Sequence, residues 1–430
     1  MAADRVDAPP SHASLSAAAG QAHGFGYVTR PAPLIALMCA VQVLTLPGFA
    51  AFPALLPKFT ALWSLSNTDA GWINGLYFAG HMAAVPVLVT LTDRVDPKRM
   101  YLWSLGLAVI AGFGFALFAD GFWTAAAFRA LAGVALAGTF MPGLKLLVDQ
   151  VAGRAGSREL AFYAASFGVG AALSMWMTGA ADQAWDWRWA FALTGIAPLL
   201  AVPVVWLAVG PCPPSPETRP TTALLDFRPV LKCRLAMAYV LAYFAHDWEL
   251  YAFRSWTVAF LVHAQQKDGA VAALPPTALA ALIALIGVPG ILAGGELMRC
   301  FGRRRFLVAV MLSSATLACV IGFASALSYG VLIALIFVYG VLVIADNPAI
   351  TAGVVANAPP GYRGMTMAVH SFMGFSAGVF GPLAFGMVLD AAGGTQSVMA
   401  WGFAFAILGL GAALGPVSVL VLGRGEPGTR

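Results

Sequence analysis

From Pro33 almost to the last residue, apolar side chains run in stretches of about twenty, separated by short polar breaks. A hydrocarbon layer of about 30 Å, climbed at 1.5 Å per residue, asks for roughly 20 residues per helix. That measure predicts spans over 33–56, 70–92, 98–119, 121–147, 158–180 and 187–209, then over 234–262, 275–298, 305–326, 328–352, 365–389 and 397–423. The runs are continuous rather than alternating with a period of two, which favours helices over a barrel. The expected fold is an all-α membrane protein of 12 transmembrane helices. The first 30 residues are small, polar and rich in Pro, Ala and Ser, and read as a disordered cytoplasmic tail rather than a signal peptide. The least apolar internal stretch, PCPPSPETRPTTALLDFRP from Pro211, marks a cytoplasmic linker over 211–231. It divides a six-helix bundle at 31–210 from a second at 232–424, with a short tail at 425–430.

The two sets echo each other. RELAFYAASFGVG begins at Arg158 and RGMTMAVHSFMGF at Arg363, 205 residues later, so Ser166-Phe167 falls on Ser371-Phe372. TDRVDPKR from Thr92 sits where MRCFGRRR from Met298 sits, and WAFAL from Trp189 corresponds to WGFAF from Trp401. Matches in one order and nearly one register imply a pseudo-two-fold with a path between the halves, the plan of an alternating-access carrier. On these residues the chain resembles the major facilitator superfamily over 31–424. VTLTDRVDPKR is similar to that family's loop between helices 2 and 3 at Asp93 and Arg94, with Lys98 and Arg99 shifted by one and Val89 and Asp96 in place of two glycines. GELMRCFGRRR keeps Gly295, Gly302 and the basic run but has Arg299 in place of the acid. RALAGVALAG, at Arg129 and Gly133, and GFSAGVFGPLAFG on the eleventh span are similar to its helix 4 and helix 11 patterns. The resemblance implies a conformational latch at the first of these loops.

Composition agrees with a chain that faces lipid: 60% of residues are hydrophobic and 10% charged, against about 25% charged in soluble proteins. The net charge is +5, and its placement matters more than its size. With the N-terminus inside, Arg94, Lys98, Arg99, Arg154, Arg158, Arg219, Arg228, Lys232, Arg234, Arg299, Arg303, Arg304, Arg305 and Arg363 fall on one side, and little beyond Lys58, Arg188 and Lys267 on the other. The positive-inside rule then puts both termini in the cytoplasm of a cell whose plasma (inner) membrane the chain crosses many times. The basic residues form clusters between helices, not one patch, so no nucleic-acid partner is read from them. The five cysteines, Cys39, Cys212, Cys233, Cys300 and Cys319, show neither a disulfide framework nor metal-ligand spacing.

Ionisable groups at membrane depth cost about 2.5–3.5 kcal/mol each to insert and are functional candidates for that reason. YFAHDWELYAFRSW, from Tyr243, puts His246, Asp247, Glu249 and Arg254 in one span. At 100° per residue Asp247, Tyr251 and Arg254 share a stripe, with His246 intermediate and Glu249 on its far side. This predicts a substrate and proton site in which Asp247 or Glu249 titrates and Arg254 biases it or holds an anion. The competing reading is an Asp247–Arg254 pair that stitches the helix into its bundle. Asp346-Asn347-Pro348 on the tenth span is a second proton site or the cap of a broken helix. Arg129 either snorkels to the outer interface or, as the resemblance implies, takes part in proton coupling. His81, His370 and Gln42 are single polar groups at mid-span, in the pathway or satisfied by packing; Asn74, Tyr77 and Tyr163 are candidate cavity walls. Asp93, Arg94, Arg99 and Arg303 are the expected cytoplasmic gate, although plain topology also accounts for the basic members.

The expected function is secondary active transport of a small organic solute, an anion among the candidates, by proton-coupled uptake. The partners are that small molecule, protons and the lipid bilayer, with no cofactor; a monomer is expected. Drug or metabolite efflux is the alternative within transport, and FGVGAALSMW on the fifth span, without the proline that efflux antiporters of the family carry there, favours uptake. A non-transporting sensor or assembly protein on the same scaffold is the alternative of another class. No Ser/His or paired-acid motif points to an enzyme.

Overall fold

The computed structural model describes residues 27–28, 30–91, 94–151, 157–212, 227–270 and 272–424. The tails expected at 1–26 and 425–430, most of the linker, and Asp93 lie outside those residues. Twelve helical spans follow one another. The first, α1, comes in three pieces, Pro31–Thr45, Ala51–Ala54 and Leu56–Leu62. Then come α2 (Asn67–Leu91), α3 (Pro97–Phe118), α4 (Phe122–Val151), α5 (Ser157–Ala184) and α6 (Trp187–Ala208). A short helix, Arg228–Lys232, leads into α7 (Arg234–Asp268), α8 (Pro276–Phe301) and α9 (Arg303–Ile321). The chain ends with α10 (Tyr329–Ala345, continued as Asn347–Ala356), α11 (Arg363–Ala391) and α12 (Val398–Ala412, continued as Leu414–Leu422).

Eight of these, among the described residues, are long and apolar enough by themselves to cross a membrane. The exceptions are α1, α2, α5 and α7, of which α1 is apolar over Pro31–Thr45 but cut short by its break. All four reach the seam between the halves, where α1 meets α7, α2 meets α11 and α5 meets α8. A helix that faces protein on several sides needs fewer apolar residues than one wrapped in lipid. The outward-facing positions show the converse: Trp103, Trp176, Trp206, Leu292, Phe301 and Leu410 stand exposed on the flanks. Trp123, Trp185 and Trp189 are exposed near helix ends, where aromatic belts sit at the membrane interface.

The break in α1 is local chemistry. Pro47 removes a backbone donor and Gly48 relaxes the turn, so residues 46–50 leave the helical path. Backbone at membrane depth must then be satisfied from elsewhere. Ser174 of α5 does so twice, donating to the Pro47 carbonyl at 2.5 Å and accepting from Ala50 N at 3.0 Å. Arg129 of α4 donates to the Gly48 carbonyl at 2.6 Å.

Across the seam the backbones approach closely. A Cβ on Gly71 or Gly75 of α2 would collide with main-chain atoms of Pro382 or Val379 of α11, so only glycine permits that approach. At the start of α2, Asp390 of α11 accepts from Asn67 N (3.1 Å) and Nδ2 (2.8 Å), and from Thr68 N (2.7 Å) and Oγ1 (2.6 Å). One carboxylate of the second half thus caps a helix of the first.

Candidate functional site

The ionisable residues of α7 separate into three environments. His246 and Asp247 face α10 and α11. His246 Nδ1 lies 2.7 Å from Asp346 Oδ1, and its Nε2 lies 3.8 Å from Asp247 Oδ1. Asn347 Nδ2 stands 3.3 Å from the same Nε2, which leaves the proton of a neutral ring on Nδ1, facing Asp346. Tyr243 stacks between two imidazoles, 5.9 Å from His246 and 3.7 Å from His370 between ring centroids. Asp247 packs where a Cβ on Gly374 would be. All of these charged groups are almost fully buried, and the imidazole between two carboxylates gives the cluster one site that gains or loses a proton without leaving the protein.

Glu249 belongs elsewhere. Its Oε1 accepts from Ser314 Oγ of α9 at 2.7 Å and from Tyr339 OH of α10 at 2.9 Å, inside the second bundle. Arg254, a turn and more beyond, faces the seam. It lines a cavity of about 40 Å³ together with Asn74, Arg129, Tyr251, Phe49, Phe78, Phe253 and Ile283. Asp247 and Arg254 form no ion pair within 4 Å, so the stitching pair raised by their spacing is not made.

The backbone explains the Asp346 position. α10 is interrupted there: Asp346 ends Tyr329–Ala345 and precedes Asn347–Ala356, with Pro348 in the first turn of the second piece. Its side chain makes no capping bond and points its carboxylate at His246 instead. Arg129 is also settled by geometry. It is 2% exposed and lies inside the protein. Its two terminal nitrogens reach the Gly48 and Phe49 carbonyls, at 2.6 and 3.4 Å, and its guanidinium lies over the Tyr77 ring at 4.2 Å. Nε has no partner in the protein.

The remaining candidates are dispersed. Gln42 accepts from Tyr163 OH at 2.6 Å within the first half. His81 of α2 lies against the Phe375 ring of α11, centroids 3.8 Å apart, with Nδ1 unpartnered. Of the expected gate, Arg94 and Arg99 are exposed. Arg303 binds within its own half, to Tyr239 OH at 3.2 Å and the Ala352 carbonyl at 3.4 Å. Asp96, the glycine replacement in the loop, accepts from Lys98 N at 2.8 Å and Cys212 N at 3.2 Å, so it caps α3 and ties it to the chain beyond α6. Two features escaped sequence reading, Ser174 and the Asp390 cap. Asn67-Thr68 at a helix start beside a polar break was a visible capping signal; its acceptor, 323 residues away in the case of Asn67, was not.

Comparison with known proteins places this geometry. A family model described as Major Facilitator Superfamily matches residues 37–382. Protein spinster homolog 3 of Danio rerio is 26% identical over 249 residues, 55% of this chain and 49% of that protein. The match therefore spans about half the length of that relative. Among solved structures, a bacterial homolog of the human lysosomal transporter spinster, in an inward-facing and unoccupied conformation, superposes with a TM-score of 0.71 at 15% identity, covering 91% of this chain and 95% of the other. The nucleoside transporter NupG does so with 0.70 at 14%, covering 91% and 99%. At these identities the likeness is one of fold.

Proposed function

Because the chain belongs to the Major Facilitator Superfamily, we propose that it takes up a small organic anion across the plasma membrane by proton-coupled alternating access. The Asp346–His246–Asp247 cluster carries this reading. Three titratable groups are held together beside the break in α10, and the Asp346 side chain caps neither piece of that helix. A proton bound there lowers the net negative charge of the site by one, and its loss restores it. Either change biases which arrangement of α7, α10 and α11 is favoured, and that bias is what couples proton and solute movement.

Alternating access needs two gates. With both termini in the cytoplasm, the first turn of α2 and the last of α11 lie on the outer side. The Asp390 cap on Asn67 and Thr68 and the close glycine seam above it are then a closed outer gate. Arg94, Arg99, Arg303 and the undescribed Asp93 remain the proposed inner gate, on the sequence resemblance.

Purified protein in liposomes, with an imposed pH gradient and a panel of labelled organic anions, tests the reading. Accumulation that follows the gradient and collapses with a protonophore is the expected result. Gradient-independent equilibration would remove proton coupling; accumulation only against an outward-directed gradient orientation would turn uptake into efflux.

A further inference from the structure

The cavity at the seam has a one-sided chemistry. Two of its lining residues, Arg129 and Arg254, are cations, and no carboxylate among the described residues lines it. Arg129 has its terminal nitrogens on the Gly48 and Phe49 carbonyls, which leaves its charge unneutralised and its Nε without a partner. Arg254 has neither an ion-pair nor a hydrogen-bond partner among the described residues. Asn74, fully buried, has no partner in the protein for either amide atom. Buried polar groups in this condition cost about 1–3 kcal/mol each unless something bonds to them. The rest of the wall is apolar or aromatic: Phe49, Phe78, Phe253 and Ile283 among others. Thr257, one of the few hydroxyls lining it, already donates to the Phe253 carbonyl at 2.6 Å.

We infer that this cavity, which on the reading above is the transport site, takes a compact monocarboxylate with an aromatic or branched apolar body. A guanidinium fork matches a carboxylate in two parallel bonds, and Arg254 is the lining arginine with no bond to the main chain among the described residues. A second carboxylate would meet an Arg129 whose two terminal nitrogens already hold the Gly48 and Phe49 carbonyls, leaving Nε as its unpartnered nitrogen. A polyhydroxylated solute would leave most of its hydroxyls against aromatic rings, whereas a flat or branched hydrocarbon body fills that surface. The Asn74 amide completes the polar end by donating to a carboxylate oxygen or a ring substituent. A cavity of about 40 Å³ is room for a few water molecules, so the body is small and the halves part to admit it.

The experiment separates the ligand class from the carrier reading. Thermal unfolding of the full chain in detergent is measured with benzoate, benzamide and benzylamine, which share a shape and differ in charge. Benzoate is expected to raise Tm in a dose-dependent way, with benzamide and benzylamine ineffective. Arg254→Gln is expected to weaken the benzoate effect by about tenfold or more, Arg254→Lys by less, and Asn74→Leu to weaken it moderately. Equal stabilisation by benzamide, no stabilisation by benzoate, or an undiminished benzoate effect in a folded Arg254→Gln would overturn the inference. If Arg254→Gln does not fold, the three isosteric probes on the unmodified protein decide. Carboxylate binding in detergent without movement in liposomes would leave the site standing and remove the transport reading; transport of neutral solutes alone would do the reverse.

Discussion

The two halves repeat one fold but use their buried polar groups differently. The 205-residue offset that carries Arg158 onto Arg363 also carries Gln42 of α1 onto Asp247 of α7. In the first half that position is neutral: Gln42 Oε1 accepts from Tyr163 OH, and its Nε2 has no partner in the protein. A buried cation of that half, Arg129, serves the carbonyls of a broken α1. In the second half α7 runs unbroken through 35 residues, and the break sits in α10, beside Asp346. The polar groups of this half face one another across helices, not a main chain, so they remain available to bind protons. On the proposed reading the first half is a frame for a kinked helix and the second holds the proton site. A repeated scaffold constrains the path between halves; it leaves each half free to place its own chemistry.

That contrast is open to attack, most forcefully at Asp346. Asp346→Asn is expected to lower pH-gradient-driven accumulation about a hundredfold or more while solute counterflow without a gradient persists. Retained accumulation would move the proton site out of the second half. Arg129→Gln comes next, and its effect should be on folding. Losing the donor to two buried carbonyls costs about 2–4 kcal/mol, visible as a lowered Tm in detergent, whereas Arg254→Gln, which has no bond to lose, should unfold close to the unmodified protein. If both variants unfolded alike, the distinction between a structural and a ligand-facing arginine would fail.

Asp390→Asn probes the one place where the halves share a helix cap. Weakening it by about 1–2 kcal/mol should speed hydrogen exchange in the first turn of α2 roughly tenfold and raise the outward-open population. Unchanged exchange would mean the cap is redundant with the glycine seam. The smallest effect is expected at Gln42→Leu. Tyr163 OH keeps a second acceptor, the Phe140 carbonyl at 3.3 Å, so stability should change by no more than about 1 kcal/mol and gradient-driven uptake should be intact. A coupling defect there would make the halves functionally alike.

Much of the candidate site was legible as composition and little of it as partnership. Helical spacing put Asp247, Tyr251 and Arg254 on one stripe, yet the seam receives Tyr251 and Arg254 while Asp247 turns to His246 and Gly374. A stripe is wide enough for neighbouring residues on it to meet different helices, and angle alone does not say which. Asp346 was visible as an acid before a proline; whether it capped α10 or served another group depended on where α7 placed an imidazole.

Sequence by itself determined the number of spans, the twofold repeat and the family, because each follows from periodicity or from motifs within single segments, whereas the break at Pro47-Gly48 interrupts a span read as continuous over 33–56. Tertiary structure alone decided that Arg129 binds a backbone while Arg254 stays unpaired, that Asp390 caps α2, and that His246 bridges two carboxylates. Those outcomes join residues up to hundreds of positions apart, and a buried charge takes whatever partner the packing of other helices brings within about 3 Å.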